Sequence, residues 1–247
     1  MENFSLVLFT VFLQSAVGLM LITAVWSFAD NEHTTQLRLP IIVSAALVTI
    51  GGLASITHLG QPLRAFNSLR MIGSSPISNE ILATGLFAVI VFSLIAIYSL
   101  SKPKIENVRK ILIVSTISGI ALIAAISTVY QIETVPAWNT PLTTISMFMT
   151  AAIVATTVAA ATKPGILFNS LFCAVITLSV FTVIMTAIHA QGLGLLSGQA
   201  LNLLMAKVAL IATGGWIVMT QRFHIAIPLS VVILGELSGR IAFFQLL

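Results

Sequence analysis

Eight separate runs, each about 20 residues long and almost wholly apolar, divide this sequence: near 5–28, 39–58, 78–100, 111–130, 142–161, 166–189, 200–219 and 224–247. About 20 apolar residues is what an α-helix needs to cross the hydrocarbon of a bilayer, so the runs predict eight transmembrane helices. A closed barrel is the other structure that satisfies its own backbone in lipid. Its strands would alternate apolar and polar residues over about ten positions, whereas "ILIVSTISGIALIAAISTVY" (111–130) is apolar on every side. Only 7% of the 247 residues are charged, against roughly 25% in a soluble domain. The connections are too short to hold a second unit. The expectation is an all-α integral membrane protein: an eight-helix bundle forming one polytopic domain over 1–247.

The first run is not read as a cleaved signal. It is too long, Glu2 precedes it, and no Lys or Arg occurs before Arg38. The one cysteine, Cys173, lies within the sixth run without a CxxC or CxxCH partner. No metal ligands, iron–sulfur cluster or covalent haem are therefore expected in this protein.

A net charge of +4 could suggest nucleic acid, but the placement of the charges points to membrane topology instead. Arg38, Lys102, Lys104, Arg109, Lys110, Lys163 and Arg222 fall in connections on one side. Arg64 and Arg70 fall on the other, and Lys207 and Arg240 lie inside runs. The positive-inside rule then puts both termini on the periplasmic side of a bacterial inner membrane. Outside connections at 59–77, 131–141 and 190–199 are the longer ones, rich in Gly, Pro and uncharged polar residues. Trp26, Trp138 and Trp216 are read as boundary tryptophans.

Ionisable groups at or inside spans are the candidates for chemistry. His58 closes the second run and Glu80 opens the third, behind a start signal at Ser75–Pro76 or Ser78. An imidazole and a carboxylate meeting beside lipid would form a proton-accepting pair, suited to a quinol that loses two protons with two electrons. The competing reading makes His58 an interfacial residue and Glu80 a complement to the helix dipole. Arg64 and Arg70 are read as headgroup or partner contacts. Glu236 and Arg240, four apart, are read as a structural ion pair. Lys207 either snorkels outward or pairs with Glu236. His189, on the same side as His58, makes a haem ligand pair conceivable. His33 and His224 are read as surface residues, and "GELSG" (235–239) as a close-packing GxxxG motif.

The stretches "HLGQPLRAFNSL" (58–69) and "SPISNEI" (75–81) closely resemble the DmsC family, the membrane-anchor subunits of bacterial dimethyl sulfoxide reductase. "IETVPAWNTPLT" (132–143) and "GELSGRIAFF" (235–244) agree, in the same order along the sequence. The resemblance implies a haem-free, eight-span anchor of a three-subunit complex for anaerobic respiration. A molybdopterin catalytic subunit and a four-cluster iron–sulfur subunit would dock on its periplasmic face. Menaquinol would be bound and oxidised there, with quinol-site roles carried onto His58 and Glu80 and with Arg64 beside them. Protons would be released and consumed on the same side, moving no net charge across the membrane. Two positions depart from the pattern: Gln61 stands where the family has a smaller residue, and Phe244 where it often has tyrosine. Alternatives are an anchor of the NrfD or polysulfide-reductase type, a secondary transporter, which the lack of an internal repeat disfavours, and a b-type cytochrome.

Overall fold

A computed structural model describes residues 3–29, 37–58, 67, 69–101 and 103–246, the side chains of Ala29, His58 and Leu69 excepted. Eight helices account for most of these residues: α1 (Phe4–Ala29), α2 (Arg38–His58), α3 (Pro76–Leu100), α4 (Ile105–Tyr130), α5 (Pro141–Thr162), α6 (Ile166–Gly192), α7 (Gly198–Thr220) and α8 (Ala226–Phe244). A single 3₁₀ turn, Leu69–Met71, precedes α3. All eight are long and apolar enough to cross a membrane, with mean hydropathy from 1.6 to 2.5. No strand occurs among the described residues.

Prolines mark the starts of α3 and α5, where the missing N–H would have had no helical partner. Ser75 occupies the N-cap position of α3 without a side-chain capping bond. Thr140 and Ser197 do cap, accepting from the backbone N–H of Leu142 and Ala200. The largest departure from the sequence reading is α4, which begins at Ile105 and not near 111. Its charged first turns stay helical because Arg109 folds back on α1. Its guanidinium donates to the Ser27 carbonyl at 2.6 and 3.2 Å and lies over the Phe28 ring.

The bundle is organised around α1, which packs against α2, α4, α5 and α8. Of its most apolar stretch 78% is buried, against 17% for α3 and α6, which form the lipid-facing rim. Between helices in lipid there is little hydrophobic drive, so close approach and buried polar contacts must hold them together. Gly18 on α1 faces the Ala151 backbone carbonyl of α5 so closely that a methyl group would collide with it. Gly119 on α4 accepts the Val17 side chain in the same way, and Gly214 on α7 accepts Val232 of α8. The expected motif at Gly235 and Gly239 packs against α7, where Gly239 leaves room for the Lys207 stem.

Because successive helices run in opposite directions, one end of the bundle gathers both termini, the close of α2, α4 and α6, and the start of α3, α5 and α7. We call it the terminal face. At the opposite end Lys163 lies over the Trp26 ring and Gln221 bonds the Ala160 carbonyl across helices. Trp216 is exposed, whereas Trp26, at the same end, and Trp138, at the terminal face, are buried against the helices. The Trp138 indole N–H reaches the Phe243 carbonyl at 2.9 Å, tying the 131–140 connection to the end of α8.

Candidate functional site

The sequence places its proton-accepting pair at the terminal face, and the helices bring the backbone of both residues there. His58 is the last residue of α2, and Glu80 lies in the second turn of α3, which packs on α2. Glu80 is half-buried, and among the described residues its carboxyl makes no hydrogen bond or ion pair. A carboxyl held in this way keeps its lone pairs for a ligand. The His58 side chain lies outside the described residues, as do Gln61 and Arg64, while Arg70 is exposed in the turn before α3.

Beside Glu80 stands a residue that sequence reading did not single out. Tyr130, the last residue of α4, is buried on the helix that packs antiparallel against α3, so it sits at the same end as Glu80. Its ring meets those of Trp138, Phe243 and Phe244 edge-on, with centroids 5.4 to 5.8 Å apart. Trp138 in turn stacks on Phe243 at 5.0 Å. Edge-to-face and offset contacts of this kind suit the ring quadrupoles. The cluster fastens α4, the 131–140 connection and α8 into a fixed apolar wall with one hydroxyl. His189 adds a further tie, its Nε2 lying 3.3 Å from the Pro136 carbonyl.

Deeper in the bundle, the expected ion pair within α8 is replaced by a network across four helices. Glu236 Oε2 pairs with Lys207 Nζ of α7 at 3.0 Å and accepts the Thr150 hydroxyl of α5 at 2.7 Å. Arg240 turns towards α1, donating to Gln14 Oε1 at 2.8 Å and to Thr150 at 3.4 Å. Glu236 and Arg240 thus meet through Thr150. The reason is steric: the bare Cα of Gly239 lets the Lys207 stem lie across α8 and reach Glu236 first. All five residues are buried. Of these, Gln14 and Thr150 were missed at the sequence level, and for Gln14 the signal was an amide in the middle of a long apolar run.

Comparison with known proteins agrees with this architecture. The family model described as DMSO reductase anchor subunit (DmsC) matches residues 1–237. The C subunit of anaerobic dimethyl sulfoxide reductase from Haemophilus influenzae is 42% identical over 155 residues, 60% of this protein and 54% of its own length. The corresponding C subunit from Escherichia coli is 33% identical over a stretch covering 60% of this protein and 53% of its own length. The sequence thus matches about half the length of those two relatives. The anaerobic dimethyl sulfoxide reductase subunit YnfH of Escherichia coli is 30% identical over 271 residues, 99% of this protein and 95% of its own length. With eight apolar helices, these matches identify a multi-pass protein of the bacterial inner membrane, and it belongs to the DmsC family of dimethyl sulfoxide reductase anchor subunits.

Proposed function

We propose that this protein holds the catalytic part of a dimethyl sulfoxide reductase-type complex at the membrane and oxidises menaquinol for it. The observation that carries the reading is Glu80: a half-buried carboxyl at the terminal face, unpartnered among the described residues, on the helix that packs against the one ending in His58. Family membership supports the anchoring role, and the distribution of Lys and Arg supports a periplasmic terminal face.

In this reading the quinol headgroup enters from lipid beside α2 and α3. Each of its two hydroxyls gives up a proton as it becomes a carbonyl, one to the His58 imidazole and one to the Glu80 carboxylate, and two electrons leave. Arg64 lies on the same connection and helps hold the headgroup. The electrons pass to an iron–sulfur subunit docked on the terminal face, and from it to a molybdopterin subunit. There, two electrons and two protons convert a sulfoxide to a sulfide and water. Proton-accepting groups of this kind contribute about 10²- to 10⁴-fold to a rate.

The test uses the assembled complex in membranes. His58→Arg is expected to abolish binding of a quinol-analogue inhibitor. Glu80→Gln should lower quinol-driven sulfoxide reduction by about 10²-fold. Both variants should leave reduction by an artificial dye donor intact, because the dye bypasses the anchor. Unchanged inhibitor affinity in His58→Arg would remove the basis for placing the quinol there.

A further inference from the structure

Between α5, α6, α7 and α8 lies a cavity of about 40 Å³, reaching from Thr140 and His189 at the terminal face to Lys207 and Arg240 within the bundle. It is separate from Glu80 and independent of the quinol reading. At its inner end Lys207 and Arg240 line the wall, and with Glu236 beside Lys207 they form a buried cluster with an excess of positive charge. Lys207 and Arg240 carry two positive charges and Glu236 one negative, on residues respectively 7%, 5% and 1% exposed. Tyr130, which meets the same Phe243 ring as Arg240, is neutral when protonated, and His189 stands at the mouth. A net charge of one sign inside a bundle is strongly unfavourable unless something neutralises it.

The wall also presents unpaired hydrogen-bond donors, while the cluster's unpaired acceptor, Glu236 Oε1, belongs to a residue outside the lining. Lys207 has three N–H groups, of which one meets Glu236. Arg240 Nε and the Ser179 hydroxyl are buried without a partner, and both residues line the cavity. The volume holds about three waters, which suits a hydrated halide and is small for the double ring of a naphthoquinone. We propose that the cavity is a binding site for a small anion of chloride or bromide size, held by Lys207, Arg240 and Ser179, that neutralises the buried cluster.

The full-length protein, purified in detergent, provides the test. Its thermal unfolding midpoint is followed at constant ionic strength as sodium gluconate is replaced by sodium bromide. The midpoint should rise in a saturable way, by about 5 °C. Lys207→Gln makes the cluster neutral, so its midpoint should be the same in both salts. Ser179→Ala should keep the wild-type midpoint in gluconate but need about tenfold more bromide for half the effect. Equal wild-type midpoints in the two salts would overturn the site, as would an undiminished bromide response in Ser179→Ala. Displacement of bromide by a quinol analogue would also overturn it, because the cavity would then take a quinol headgroup. If Lys207→Gln does not fold, the Ser179→Ala titration decides alone.

Discussion

Tyr130 shows how one atom can be tested apart from the packing around it. The ring is fixed by three aromatic neighbours, while the hydroxyl is the polar atom this helix end brings to the Glu80 face. Tyr130→Phe keeps every ring contact, so the unfolding midpoint of the protein should move by no more than about 1 °C. Quinol-driven turnover should fall about tenfold, with dye-driven turnover unchanged. A large loss of stability would show that the hydroxyl supports the fold and not the site. Residue-level reading of the sequence was uneven for physical reasons. Glu80 stood out because a carboxylate at the edge of an apolar run is costly to bury, even though a helix start can accommodate one. Tyr130 did not, because tyrosine at a lipid boundary is ordinary. The pairing within Glu236 and Arg240 was readable as helix spacing, but a cation from another helix competed for the same oxygen, and spacing along one helix is blind to that.

At the level of helices, the contact between α1 and α5 has the least tolerance. A methyl at Gly18 would collide with the Ala151 backbone, which no rotamer change can relieve, whereas a methyl at Gly52 on α2 meets nothing. Gly18→Ala should therefore cost about 3 kcal/mol, at the upper end of overpacking. Gly52→Ala should be near neutral, and thermal unfolding in detergent separates the two. Equal stability of the two variants would mean that α1 and α5 are looser than described. Apart from α4, the helix starts and ends were legible within about three residues, because the passage from lipid to water is written in polarity. The start of α4 was not. Its Lys and Arg residues look like a loop, yet a helix continues past the lipid boundary when its charges find carbonyls and rings to rest on, as Arg109 does at Ser27 and Phe28.

For the molecule as a whole, the orientation rests on its positive charges and can be tested directly. In a Cys173→Ser background, which leaves the protein without cysteine, new cysteines are placed at two exposed positions, Glu133→Cys and Glu106→Cys. A membrane-impermeant maleimide should label position 133 in whole cells or spheroplasts, and position 106 only after the membrane is opened. The reverse pattern would invert the topology and put the Glu80 face in the cytoplasm. The central position of α1 also bears on how such a bundle is assembled. α1 is made before the four helices that pack on it, α2, α4, α5 and α8, so it has to wait in lipid with those neighbours still unmade. Thr10, Ser15, Thr23 and Ser27 are ready for that wait, since each hydroxyl rests on a carbonyl of its own helix. Gln14 has no such shelter, and its oxygen is met by Arg240, which lies 226 residues further on in the last helix. Assembly therefore stays incomplete at its centre until α8 is made, and its arrival is the event that seals it.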